Sequence, residues 1–98
     1  MSRRLSFHAL AEQELMEATA FYSKESPALG RAFLDEVEHS LIQIREFPES
    51  SPLLNPTVRR KLLRRFPYSV LYSIRSEEIR ILAIANQKRR PFYWRGRE

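Results

Sequence analysis

Apolar residues recur along this chain with two different periods. From His8 to Glu25 the spacing is helical: Leu15, Ala18 and Tyr22 follow at intervals of three and four, with Ala11 one turn earlier. Glu12, Glu14 and Glu17 fall on the remaining surface of that helix and read as solvated. Ser26-Pro27 marks a restart, because a serine hydroxyl caps a helix well and proline suits its first turn. The second helix, Pro27 to Glu46, carries the clearest stripe: Leu29, Phe33, Val37, Leu41 and Ile44. Gly30, near its start, is expected to let the first helix approach closely. So short a link makes the pair an antiparallel hairpin, and each apolar stripe then requires a sheet to cover it.

Elsewhere the period is two. Arg4 to Phe7 alternates, with Leu5 and Phe7 on one side, and predicts a short strand. Pro48, Pro52 and Pro56, among Glu49, Ser50, Ser51 and Asn55, form a rigid loop after the second helix. Val58 to Phe66 reads as a strand carrying Arg59-Arg60-Lys61 and Arg64-Arg65, bounded by Pro67. Tyr68, Val70, Tyr72 and Ile74 alternate with Ser69, Leu71, Ser73 and Arg75, and Ser76-Glu77-Glu78 predicts a hairpin turn. Ile79 to Ala85 is apolar except at Arg80, as in an interior strand. The expected fold is α+β, in the order β-α-α-β-β-β: an N-terminal strand and an antiparallel helical hairpin packed on an antiparallel sheet. Ninety-eight residues make one domain, spanning residues 1–98.

Charge divides this domain in two. Met1 to Ser50 holds 5 Lys/Arg against 9 Asp/Glu, a net of −4; Ser51 to Glu98 holds 12 against 3, a net of +9. The acidic half is the helical one and the basic half the strands, so the sheet is expected to meet an anionic partner. Several function classes drop out. Gly30 and Gly96 are the only glycines, too few for a dinucleotide fingerprint or a P-loop. Without cysteine there is no disulfide, thiolate nucleophile or Cys-based zinc site, and no cofactor or metal is expected. The start Met1-Ser2-Arg3-Arg4-Leu5-Ser6-Phe7 lacks the apolar core of a secretory signal, and no apolar run approaches a membrane span; a cytoplasmic location is the default expectation.

Conventional catalytic sets are poorly supplied. His8 reads as a helix-start residue and His39 as solvent-facing, while Asp35, Glu36 and Glu38 are not spaced to share a metal and read as a solvated face. The basic residues say more. On one strand, alternation sends Arg59, Lys61 and Arg65 to one face and Arg60 and Arg64 to the other. The tail adds Lys88, Arg89, Arg90, Arg95 and Arg97, interleaved with Phe92, Tyr93 and Trp94. Arginine forks chelate phosphate and aromatic rings stack on unpaired bases, a mixture suited to single-stranded RNA. Equally, Tyr93 and Trp94 can pin the tail to the core with the arginines solvated around them.

The chain resembles the RelE/ParE toxin superfamily of type II toxin–antitoxin modules, in particular its ParE-like plasmid-stabilisation branch. The residues that carry the likeness are Ala11-x-x-Glu14-Leu15-x-Glu17-Ala18 with Phe21-Tyr22, Pro27-x-Leu29-Gly30-x-x-Phe33-Leu34 and Glu36-Val37-Glu38. They continue through Arg64-Arg65-Phe66-Pro67-Tyr68-Ser69-Val70-Leu71-Tyr72, Ile79 to Ala85, and Arg90-Pro91-Phe92-Tyr93-Trp94. The resemblance implies a toxin neutralised by a cognate antitoxin from an adjacent gene. ParE-like members act on DNA gyrase, whereas RelE-like members cleave mRNA on the ribosome. Under the nuclease reading, Lys61 would accept a proton, Arg65 and Arg90 would clamp the phosphate, and Tyr93 would stack or donate a proton. Arg59, Arg60, Arg64, Asn86, Lys88, Arg89, Trp94 and Arg95 are the expected binding residues. Asn86 stands where relatives of this branch commonly have His, and Phe92 where many have Gly. Asparagine cannot shuttle a proton, so the gyrase-binding toxin is the leading expectation and the ribosome-dependent endonuclease the alternative. A nonspecific nucleic-acid-binding module is a third, blander possibility, whose affinity would fall steeply with salt.

Overall fold

Both helices form where the apolar spacing places them. The computed structural model describes residues 3–98; Met1 and Ser2, part of the start read above as lacking a signal, lie outside the described residues. Strand β1 is Arg4–Phe7, helix α1 is Ala9–Glu25 and helix α2 is Pro27–Glu46. His8 caps α1, its Nδ1 accepting the Leu10 amide at 3.1 Å. Ser26 caps α2, its Oγ accepting the Leu29 amide at 3.0 Å, with Pro27 in the first turn. Gly30 sits against α1: a Cβ there would lie 1.9 Å from Ser23 Oγ and 3.0 Å from Ser23 Cα. That close approach is why this position has no side chain.

After a short turn of 3₁₀ helix at Pro48–Ser50 come β2 (Arg59–Leu62), β3 (Tyr68–Ile74) and β4 (Glu78–Asn86). The sheet order is β1-β4-β3-β2. The last three strands pair antiparallel, as expected, but β1 joins the edge of β4 in parallel, so the four-stranded sheet is mixed. Alternation of side chains carries no information about strand direction, which only the path through the helical hairpin decides. A β-bulge falls between Leu71 and Tyr72, where β3 skips Leu82 of β4. It turns both Leu82 and Ala83 to the same face.

The sheet is covered on both sides. Against the helices, Phe33, Val37 and Ile44 of α2 and Ala11 and Ala18 of α1 meet Val70, Tyr72, Ile79, Ile81 and Ile84. An aromatic group of Tyr22, Phe33, Phe66 and Tyr68, with ring centroids 4.8 to 6.2 Å apart, closes one end of this layer. On the outer face Val58, Leu71, Leu82, Ala83 and Ala85 form a second, smaller core. The tail after β4 folds back over them, and Trp94, 3 % exposed, is its plug. Among the described residues no helix is long and apolar enough to cross a membrane.

The expected strand from Val58 to Phe66 is shorter than the sequence implies. It stops at Leu62 because Leu63 and Phe66 both turn inward to the helical core, and the carboxylate of Glu36 on α2 takes the Arg64 and Arg65 amides. Arg64 and Arg65 are therefore loop residues and do not alternate across the sheet. Glu36, expected on a solvated face, is instead the anchor of this loop.

Candidate functional site

Three surfaces gather polar and charged side chains. The first is a cleft of about 530 Å³ on the outer face of the sheet, between β2, β3 and the tail. Leu62, Leu71 and Ala85 floor it, and Arg60, Arg89, Arg90, Asn86, Gln87, Phe92 and Tyr93 surround it, with no carboxylate in its lining. The second, about 570 Å³, runs between α2 and β2 with its following loop. Asp35, Glu36, His39 and Gln43 face Lys61, Leu62, Arg64 and Arg65 across it. The third lies between α1 and the end of β4, and includes Glu17, Phe21, Tyr68, Lys88 and Arg89.

The four residues assigned to phosphate chemistry divide between two of these surfaces. Arg90 and Tyr93 line the outer cleft, while Lys61 and Arg65 line the groove against α2. Tyr93 is further constrained. Its ring lies between the guanidinium groups of Arg89 and Arg97, at 4.0 and 5.0 Å from the ring centre. Its hydroxyl is buried and, among the described residues, finds no hydrogen-bond partner. Burial above all, and then the nearby Glu14 carboxylate, push the phenol well above its ordinary range, making it a poor proton donor.

The expected binding residues separate into working side chains and free ones. Arg59 is committed: its guanidinium donates to the carbonyls of Glu49 and Ser51 at 3.0 and 2.7 Å, pinning the proline-rich loop to β2. Trp94 is committed too. Its ring is part of the outer core and is not available to stack on a base, which corrects its assignment as a contact residue. Asn86 caps the turn that follows β4, its Oδ1 accepting the Lys88 amide at 2.8 Å. Arg60, Arg64, Lys88, Arg89 and Arg95 are exposed and form no ion pair among the described residues. Arg95 stacks over the Phe92 ring at 4.9 Å, and Phe92, 42 % exposed, holds a left-handed φ of 60° that β-carbon residues rarely adopt. Glycine at this position would carry no such strain.

Sequence reasoning missed the pair that ties this surface together. Glu14, placed among solvated acids, and Arg97, placed among the free cations of the tail, are paired and nearly buried, their side chains 13 % and 8 % exposed. The only signal for Glu14 was its neighbourhood, next to Leu15 and one turn after Ala11 on a helix whose small residues turn inward.

Comparison with known proteins agrees with this architecture. A family model described as the ParE toxin of type II toxin-antitoxin system, parDE, matches residues 5–91, stopping short of Tyr93, Trp94 and Arg97. A solved structure described as a chromosomal ParDE TA system from P. aeruginosa superposes with a TM-score of 0.57 at 24 % identity. The alignment covers 86 % of this chain and 95 % of that one, and bears on the fold. No curated protein matches the chain.

Proposed function

The chain belongs to the ParE toxin family of type II toxin–antitoxin systems, and from that premise we propose that it arrests growth by binding DNA gyrase, held inactive until then by a cognate antitoxin. The observation that carries this reading is the separation of the nuclease set. Lys61 and Arg65 line the groove against α2 while Arg90 and Tyr93 line the outer cleft, a division that favours a binding surface over a concerted base, clamp and acid. Asn86 supplies no proton shuttle, and the Tyr93 hydroxyl is buried and hard to ionise. What remains is a cationic, partly aromatic surface suited to binding. Arg60, Arg89 and Arg90 give it a field of one sign, which speeds encounter with an acidic partner.

That same cleft favours a second reading, because exposed arginines beside Phe92 suit single-stranded RNA and hence a ribosome-dependent endonuclease. One experiment separates the two. The purified chain is added to a gyrase supercoiling assay, and mRNA 5′ ends are mapped after the chain is induced alone in a bacterial host. Loss of supercoiling with intact mRNA is the expected result. Cuts phased to codons, with gyrase unaffected, would overturn it.

A further inference from the structure

We propose, resting on the protein-target reading above, that Phe92 is the contact residue by which the outer cleft grips its target. The target presents there an apolar side chain flanked by carboxylates.

The backbone at Phe92 is strained. Arg90-Pro91-Phe92-Tyr93 closes a β-turn, the Tyr93 amide donating to the Arg90 carbonyl at 3.2 Å. Proline at the second position fixes a negative φ there, and Phe92 at the third has a φ of 60°, the pattern of a type II turn. That third position favours glycine, because a Cβ in the left-handed region crowds the backbone. Among the described residues Phe92 is the only one other than glycine with a positive φ. The turn leads Trp94 into the outer core, and for that it needs only its backbone. The Phe92 ring is exposed and belongs to neither core, so burial does not offset the strain. Strain of this kind gathers at binding sites. The ring is nonetheless held in place, by Trp94 with ring centres 5.7 Å apart and by the Arg95 guanidinium at 4.9 Å. A ring that is fixed yet exposed suits a binding hot spot, since it has little freedom left to lose on contact.

The cleft beside the ring selects the occupant. Its floor of Leu62, Leu71 and Ala85 is apolar, and Arg60, Arg89 and Arg90 are among the residues around it. None of these arginines forms an ion pair among the described residues, and no carboxylate lines the cleft. An apolar side chain on the floor, with carboxylates reaching the arginines, satisfies both halves of this surface. A polynucleotide satisfies only the arginines. The Tyr93 ring lies between Arg89 and Arg97, and Arg95 stacks on Phe92, so guanidinium groups already occupy places that a stacking base would take.

The full chain is compared with its Phe92→Gly and Phe92→Tyr variants in three measurements: thermal unfolding, inhibition of gyrase supercoiling, and binding of a fluorescent single-stranded RNA oligonucleotide. Phe92→Gly should unfold at the same temperature as the unaltered chain or higher, because relief of the turn opposes the freedom that glycine adds to the unfolded chain. Its inhibition of supercoiling should require at least about tenfold more protein. Phe92→Tyr, which keeps the ring, should inhibit like the unaltered chain, and the RNA should bind all three proteins alike. Full inhibition by Phe92→Gly overturns the contact role and leaves the gyrase reading standing. A lowered unfolding temperature also overturns it, because the ring would then serve the fold. RNA affinity that falls with Phe92→Gly overturns the protein occupant in favour of a nucleic acid. An unaltered chain that does not inhibit gyrase overturns the gyrase reading, and the role of Phe92 falls with it.

Discussion

Glu14 of α1 and Arg97 of the tail meet in a two-pronged ion pair, Nη1 to Oε1 and Nη2 to Oε2, both at 3.0 Å. Each also binds the edge of β4 beyond the end of β1: Glu14 accepts the Ile84 amide and Arg97 donates to the Leu82 carbonyl, again at 3.0 Å. Strand β1 covers β4 only from Glu78 to Ile81, so the pair does at this edge what a longer strand would do. It also ties the acidic helical half of the chain to its basic tail.

Removing either partner should therefore cost more than a surface ion pair. Glu14→Ala strands a guanidinium and the Ile84 amide in a nearly dry site, with an expected loss of about 3–5 kcal/mol. Arg97→Ala should lose a similar amount, and the double variant less than the sum of the two. Urea unfolding of the four proteins in a double-mutant cycle measures this, and strict additivity would contradict the linkage.

Trp94 and Arg95 are neighbours with opposite roles, and mutation should separate them. Trp94→Ala empties the centre of the outer core and should cost about 3–5 kcal/mol. Arg95→Ala removes an exposed cation over Phe92 and should change stability by no more than about 1 kcal/mol. Thermal unfolding of both variants checks the contrast.

Gly30→Ala tests the helix contact. The new methyl would collide with Ser23, and because Ser23 Cα lies within 3.0 Å, rotating the serine alone does not relieve it. Alanine's better helix propensity, about 1 kcal/mol, works in the opposite direction. Overpacking should win, for a net loss of about 1–2 kcal/mol that Ser23→Gly in the same chain partly restores. Denaturant midpoints of the single and double variants decide the sign.

Alkaline pH should destabilise the fold through its buried and partly buried phenols. Tyr93, Tyr72 and Tyr22 all have pKa values raised in the folded state, chiefly by burial. A raised folded pKa means that the native state holds its proton more tightly than the unfolded chain does. Stability is then level below the ordinary tyrosine range, near pH 10, and falls as pH rises above it. Tyr93→Phe should flatten that fall and, by removing an unpartnered buried hydroxyl, leave stability at neutral pH unchanged or higher by up to about 1 kcal/mol. Unfolding free energies of both proteins from pH 7 to 11 test this. Equal alkaline slopes would show that Tyr93 does not titrate with folding.

Local pattern was enough for the elements and their order. The two helices, the Ser26 cap with Pro27 behind it, the space reserved at Gly30 and the strands β3 and β4 all follow from short-range spacing and sterics. These are properties of neighbours in the chain, and a periodic pattern reports which side chains share a face. Pinning of the tail by Tyr93 and Trp94 was one of two readings the sequence left open, and the fold chose it; the parallel docking of β1, the early end of β2 and the working roles of Glu14, Glu36, Arg59 and Arg97 came only with the tertiary structure. Each depends on partners distant in sequence: Glu14 and Arg97 are 83 residues apart, and Glu36 and Arg64 are 28. A charged residue looks the same in the sequence whether solvated or paired. Only the folded chain decides which acids and arginines meet, because burial without a partner costs too much to persist.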